Sequence, residues 1–180
     1  MVRCFIGLDP PKSIKTNVIS YQSKLRELPI MCKMVEPENL HISLSFLGDV
    51  HDEDIEVMSG KMDEIVEGYS RFTANMSVIE LIPNKDFIRV ISLGVESSEL
   101  EKLRQDIVKM IGGESHPAHL TLCRVKEIDN KNETIQKILD LKTKNEEFEV
   151  ESIVLFKSVL QKGGPVYTKL HESFLAASDS

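Results

Sequence analysis

Apolar residues recur with two different periods along the chain, and together these periods predict a mixed α and β fold. In the opening segment VRCFIGLD every second residue is apolar, which places Val2, Cys4, Ile6 and Leu8 on one face of a strand. Spacings of three and four residues elsewhere predict four amphipathic helices. Their apolar stripes are Ile14, Val18, Tyr21, Leu25 and Leu28; Ile55, Met58, Met62, Ile65 and Tyr69; Leu100, Leu103, Ile107 and Met110; and Ile135, Ile138 and Leu139.

Strand-like segments lie between these helices and include two hairpins. The runs FTANMSVIELI and DFIRVISLGV are separated by Pro-Asn-Lys, which is typical of a hairpin turn. A second hairpin is predicted near the end of the chain, where a Gly-Gly-Pro turn joins two segments that are each interpreted as one strand, FEVESIVLFKSVL and VYTKLHESFLA. Single strands are predicted in NLHISLSFLGD and AHLTLCRV. Because the order of helix, single strand, helix and hairpin occurs twice, the two halves of the chain are expected to form related lobes.

The two single strands share one motif, which reads His, apolar, hydroxyl, Leu. It occurs as HISL beginning at His41 and as HLTL beginning at His119. Since side chains alternate along a strand, His41 and Ser43 lie on one face, in a polar stripe that continues to Ser45, and His119 lies beside Thr121. Polar residues in strands often only line a solvated face, but two copies at matching places in related halves indicate a functional pair.

A two-fold relation between the halves would bring both pairs to one cleft. In-line displacement at phosphorus needs a base at the attacking oxygen and an acid at the leaving oxygen, on opposite sides of the phosphorus. Imidazoles titrate near pH ~6.5, so two of them can hold opposite protonation states at neutral pH. The neighbouring hydroxyls can donate to the equatorial oxygens of the phosphoryl group. The near-identical motifs leave the acid and the base unassigned.

Composition limits the classes of ligand that the protein is expected to bind and the cellular compartment in which it is expected to act. A net charge of −7 argues against a protein that wraps a long nucleic acid, but it permits a small phosphate-bearing end. The three cysteines form no C-x-x-C pair, which argues against a thiolate metal site. His116 is expected in a loop, and no carboxylate is in register to complete a ligand set with His116 and His119, so no metal site is expected. No apolar run approaches the ~20 residues of a membrane span and the N-terminal segment does not resemble a signal peptide, so we expect a cytoplasmic protein without membrane contact. We also expect it to be a monomer.

The segments EPENLHISLSFLGDV and HPAHLTLCRVK resemble the two-histidine (2H) phosphoesterases, in particular their RNA 2′,3′-cyclic phosphodiesterase branch, also called 2′-5′ RNA ligase-like proteins. The resemblance spans nearly the whole chain, from RCFIGLDPP to LFKSVLQKGGPVYTKL. It implies an α+β fold of two antiparallel-sheet lobes related by pseudo-two-fold symmetry, with helices outside and a central cleft. Residues 1–180 would then form a single bilobal domain in which both motifs face that cleft. Ser43 departs from the threonine usual in the family, and Met34 from a frequent tryptophan.

The resemblance also implies an activity, which is hydrolysis of a terminal RNA 2′,3′-cyclic phosphate to a 2′-phosphate without a metal or cofactor. The family's proton donor maps onto His41 and its proton acceptor onto His119, while Ser43 and Thr121 would hold the phosphate. The implied partners are RNA 3′ ends with this cyclic phosphate, with tRNA halves as candidates, and some members also join RNA ends through a 2′-5′ bond. A cyclic phosphodiesterase of small nucleotides and a non-catalytic RNA-end-binding protein are the alternatives.

Further polar residues are weighed for the same site. Arg124 resembles a family arginine that contacts the phosphate and is included among the substrate-binding residues. Strict alternation places it on the face opposite His119, so it reaches the cleft only if the strand ends or twists there, and a surface ion pair is the alternative. Arg3 and Phe5 share a face of the first strand and could line the cleft, or form a rim charge and a packed ring. Tyr167, in the last hairpin, matches a family-like position but is left outside the predicted site, because hairpins often carry exposed polar residues.

Overall fold

The computed structural model describes residues 1–179, which contain four α-helices and nine strands. The helices are α1 (Lys12–Arg26), α2 (Asp54–Val66), α3 (Ser98–Met110) and α4 (Lys131–Leu139), with one turn of 3-10 helix at Pro37–Asn39. The strands are β1 (Val2–Leu8), β2 (Ile30–Met34), β3 (Ile42–Val50), β4 (Phe72–Pro83), β5 (Ile88–Glu96), β6 (His119–Ile128), β7 (Glu146–Val150), β8 (Ser152–Gln161) and β9 (Gly164–Phe174). All four helices lie where the apolar stripes predict them. None of the helices in this part of the chain is long and apolar enough to cross a bilayer.

The nine strands form one antiparallel sheet with β3 and β6 at its centre. The strand order is β7-β4-β5-β6-β3-β1-β8-β9, and β2 pairs with the later part of β6. Strands β3 and β6 are joined at the pair Ile42 and Leu120. From this pair the order runs outward as β1, β8, β9 on one side and as β5, β4, β7 on the other. A pseudo-two-fold axis therefore passes between the two histidine strands, and the expected α+β fold class is confirmed.

The two lobes of the sheet do not coincide with the two halves of the sequence. The β4–β5 hairpin follows the first histidine strand in sequence but pairs with β6, whereas the final β8–β9 hairpin joins β3 through β1. The segment expected as one strand near the end of the chain is divided at Glu151: β7 pairs with β4 in one lobe and β8 with β1 in the other. Strand pairing is non-local, so the pattern of this segment gave no sign of the division.

The sheet carries a large apolar core on one face and a small aromatic cluster on the other. The main core combines buried residues of α1, α2 and α3 with those of the central strands, among them Ile14, Met62 and Ile107. Phe5 alternates with core residues along β1 and packs instead with Phe156, Val154 and Tyr167.

Candidate active site

A cleft of about 810 Å³ contains all five residues proposed for the site. They are His41, Ser43, His119, Thr121 and Arg124. The remaining walls come from β2, from the β4–β5 hairpin and from the tip of the final hairpin, so both lobes contribute. A concave site of this size is ample for a small ligand or for the end of a longer one.

Both histidines are held by the same local contact. The Nδ1 atom of His41 lies 2.7 Å from the carbonyl oxygen of Asn39, and the Nδ1 atom of His119 lies 2.9 Å from the carbonyl oxygen of Pro117. A carbonyl oxygen can only accept a hydrogen bond, so each Nδ1 carries a proton and donates it. In each ring Nε2 is thus the atom left to take up or release a proton.

The central strand register sets hydroxyls next to imidazoles. His41 directly precedes β3, and His119 begins β6. The central β3–β6 pair joins Ile42 to Leu120. If the antiparallel register continues by one residue on either side of this pair, His41 lies opposite Thr121 and Ser43 lies opposite His119. Each imidazole therefore has one hydroxyl on its own strand and another across the strand pair.

A β-bulge ends the first polar stripe after Ser43. Ser43 and Ser45 pair with consecutive residues of β1, so Leu44 is the extra residue of the bulge. Beyond it the two faces of β3 exchange. Ser45 is fully buried and its hydroxyl donates to the carbonyl oxygen of Gly112 at 2.7 Å, whereas Phe46 lines the cleft. The expectation that Ser45 extends the stripe was wrong, because alternation does not continue through a bulge.

A second bulge aims Arg124 into the cleft. Thr121 and Cys123 pair with consecutive residues of β5, which makes Leu122 the extra residue. Leu122 and Cys123 are both buried, and Arg124 returns to the cleft side with Thr121. Strict alternation alone would put Arg124 on the opposite face, and the bulge is the irregularity that brings this proposed site residue into the cleft.

Contacts around this second bulge hold it in place. The carbonyl oxygen of Leu122 accepts from the backbone N–H of Val35 at 3.0 Å and from Nε2 of Gln22 at 2.9 Å. Gln22 belongs to α1, is only 2% exposed, and also donates to the carbonyl oxygen of Val35. Arg124 itself forms no ion pair with any carboxylate of residues 1–179, so its guanidinium is available to an anionic ligand.

His41 lies in an aromatic recess that the sequence only partly indicated. Its ring centroid is 4.7 Å from that of Phe5 and 6.4 Å from that of Phe156. Tyr167 packs edge-on at 5.0 Å with an interplanar angle of 88°. Tyr167 also lines the cleft, contrary to the prediction that it lies outside the site, and its family-like position was the signal. Phe5 supports the imidazole from beneath, while Arg3 is exposed and lies outside the cleft lining.

This environment makes His41 harder to protonate. Burial is the main cause that lowers its pKa below the ordinary value of 6.5, and the charges of Arg124 and His119 lower it further. The hydrogen bond to the Asn39 carbonyl acts in the opposite direction, because it favours the charged ring. At neutral pH the free protein therefore holds His41 as a neutral imidazole.

The mouth of the cleft carries further polar groups that the sequence did not assign to it. His116 lies in a loop as expected, but it lines the mouth, with its Nε2 3.1 Å from Oε1 of Glu114. Lys33, Glu36 and Glu80 also line the cleft, so its rim has charges of both signs. Within residues 1–179 no group of three or more His, Cys, Asp or Glu side chains is arranged to hold a metal ion.

Comparison with known proteins agrees with this architecture. The model of the family described as LigT like phosphoesterase matches the chain twice, over residues 8–92 and 93–167. The chain belongs to the LigT-like phosphoesterases. The two matches confirm the resemblance seen in the two motifs, and they divide the sequence as its repeated element order does.

Relatives of this LigT-like phosphoesterase cover it almost from end to end. The RNA 2′,3′-cyclic phosphodiesterase of Methanocaldococcus jannaschii is 32% identical, over 95% of this chain and 99% of the relative. The protein of the same name from Methanothermobacter thermautotrophicus is 31% identical, over 94% of this chain and 96% of the relative. The crystal structure of TT0787 of Thermus thermophilus has a TM-score of 0.80 at 22% identity, covers 98% of this chain and 100% of its own, and shows the same fold.

Proposed function

We propose that this LigT-like phosphoesterase is an RNA 2′,3′-cyclic phosphodiesterase that opens the terminal cyclic phosphate to a 2′-phosphate. One observation carries the proposal. His41 and His119 line the same cleft beside two hydroxyl groups, and in each ring a backbone contact occupies Nδ1 and leaves Nε2 available for proton transfer. The name shared by the two relatives supports the same substrate class.

In the proposed reaction a water oxygen attacks phosphorus while the bond between phosphorus and the 3′-oxygen breaks. His119 takes the proton of the water at Nε2, and His41, protonated at Nε2 beforehand, gives its proton to the departing 3′-oxygen. The products are a 2′-phosphate and a free 3′-hydroxyl. Ser43 and Thr121 donate to the non-bridging oxygens, and Arg124 balances their negative charge. Proton exchange with solvent then restores both rings.

The shape of the cleft favours an RNA end over a small cyclic nucleotide. The cleft extends from the histidines to Met34 of β2, to Val90 of β5 and to Leu160 at the final hairpin, which is 83% exposed. Apolar surface of this kind can accept the faces of nucleobases next to the reacting phosphate. We therefore propose RNA 3′ ends with a cyclic phosphate as substrates, tRNA halves included, bound by a cytoplasmic monomer. By microscopic reversibility the same two imidazoles could join a 5′-hydroxyl end through a 2′-5′ bond.

The direct test is turnover of an RNA oligonucleotide that ends in a 2′,3′-cyclic phosphate, in the presence of a chelator. We expect a 2′-phosphate product, and each of His41→Ala and His119→Ala should lower turnover by about 10²- to 10⁴-fold, the usual contribution of a general acid or base. His51→Ala is the matched control, because His51 is exposed and lies outside the cleft lining. Full activity in either cleft variant, or loss of wild-type activity in chelator, would contradict the mechanism.

The same assay separates the alternatives. A 2′,3′-cyclic mononucleotide should be a poorer substrate than the oligonucleotide if the apolar extension of the cleft binds bases. Equal or faster turnover of the mononucleotide would favour the small-nucleotide enzyme. Tight binding of the oligonucleotide without turnover would favour the RNA-end-binding protein.

A further inference from the structure

We propose that Asn39 is a positioning residue for His41, whose side chain anchors the carbonyl group that orients the imidazole. This inference deepens the proposed function and rests on the role given there to His41. Asn39 itself would not act on the reacting atoms; it would act through the ring.

Two hydrogen bonds meet at Asn39. Its carbonyl oxygen accepts from Nδ1 of His41 at 2.7 Å, and its side-chain Nδ2 donates to the carbonyl oxygen of Pro165 at 2.8 Å. Pro165 belongs to the tip of the β8–β9 hairpin, 126 residues along the chain from Asn39. The 3-10 turn that presents the orienting carbonyl is thus fastened to a distant strand.

The same hairpin carries the ring that packs on His41. Tyr167 follows Pro165 by two residues and meets the imidazole edge-on at 5.0 Å. The side chain of Asn39 therefore fixes the distance between the two contacts of His41, the carbonyl group at Nδ1 and the phenol ring at its edge. Loss of this bond would let the turn and the hairpin move apart.

The second half of the molecule shows why such an anchor is needed at this place. The carbonyl that orients His119 belongs to Pro117, also two residues before its histidine. A proline ring fixes the backbone angle φ near about −65°, so covalent structure removes one of the two rotations that orient this carbonyl. Asn39 has no such restraint, and its hydrogen bond to Pro165 supplies the restraint from outside the turn.

The test compares Asn39→Ala and Asn39→Asp with wild type; the aspartate keeps the size of the side chain but cannot donate to Pro165. We expect kcat to fall by about 10- to 100-fold with little change in KM, because a misplaced acid loses rate more than binding. In Asn39→Ala the limb of the pH profile that belongs to His41 should move to lower pH, since the weakened carbonyl contact favours the neutral ring. The ring ¹⁵N signals of His41 should show a mixture of the two tautomers.

Asn84→Ala is the control, because Asn84 also holds a hairpin turn through its side chain but lies outside the cleft lining. It should lower stability without changing the pH profile. Unchanged ring signals and pH profile in both Asn39 variants would overturn the positioning role, and a higher KM alone would indicate direct contact with substrate. The ring signals are measured without substrate, so they decide this point even if His41→Ala retains activity and the proposed function fails.

Discussion

His41 and His119 hold the same tautomer in unequal surroundings. The motifs around them match, so the motifs alone do not distinguish the acid from the base. In the folded protein His41 packs against Phe5 and Tyr167, and burial lowers its pKa. An acid with a lowered pKa is charged in only a small fraction of the free protein at neutral pH. The anionic phosphate of a bound substrate would stabilise the charged ring and raise that fraction.

This difference predicts the shape of the pH profile. If His41 is the acid, the residual kcat/KM of His119→Ala, which has lost the base, should fall as the pH rises through the lowered pKa of His41, so this limb should lie below pH 6.5. The corresponding limb of kcat should lie at higher pH, because bound phosphate favours protonated His41. Rate profiles and an NMR titration of the His41 ring check both limbs. A residual kcat/KM of His119→Ala that instead rises with pH through the His41 titration would identify this residue as the base.

At the level of secondary structure, two β-bulges decide which side chains reach the cleft. Up to Ser43 and Thr121 the alternation of the strands predicts the cleft face correctly. Leu44 and Leu122 are then inserted, and beyond each insertion the faces exchange. The buried amide of Gln22 supports the second insertion from α1.

Replacement of Gln22 should therefore weaken substrate binding from a distance. Gln22→Met removes the side-chain donor to the Val35 carbonyl and one of the two donors to the Leu122 carbonyl, and each lost hydrogen bond costs about 1 kcal/mol. We expect a lower free energy of unfolding, and a higher KM because the guanidinium of Arg124 would no longer be directed into the cleft. The effect on KM should largely disappear when Arg124 is already alanine, which a double-mutant cycle measures. Gln136→Met on the exposed face of α4 is the control, and an unchanged KM in a folded Gln22→Met protein would contradict the coupling.

In the molecule as a whole, each lobe is assembled from distant parts of the chain. The lobe of His41 combines β3 and β1 with the final hairpin, so its recess is completed only when β8 and β9 are in place. Helix α2 is fastened to this hairpin through Asp63, which accepts from Ser173 at 2.6 Å and contacts Nε2 of His171 at 2.8 Å.

The contact at Asp63 predicts a stability that depends on pH. The hydrogen bonds from Ser173 and His171 lower the pKa of Asp63 below its ordinary 3.8. A carboxylate with a lower pKa in the folded state stabilises the fold above its unfolded pKa, and this contribution disappears as the pH falls through the folded value. Asp63→Ala should lower Tm at neutral pH by about 2–4 °C, with a smaller difference at a pH below the ordinary pKa. Glu64→Ala, an exposed neighbour on α2, should leave Tm nearly unchanged, and equal shifts in both variants would refute the contact.

Local patterns in the sequence were enough to predict the four helices, the repeated histidine motif and the cleft face up to Ser43 and Thr121. These features depend on periods of two and of about 3.6 residues, which neighbouring residues impose on one another. Only the folded chain could reveal the reversal of faces at the bulges, the bulge that brings Arg124 into the cleft, the packing of Tyr167 on His41, and the exchange of hairpins between lobes. Each of these depends on which strand pairs with which, and pairing is set by contacts between residues far apart in the chain.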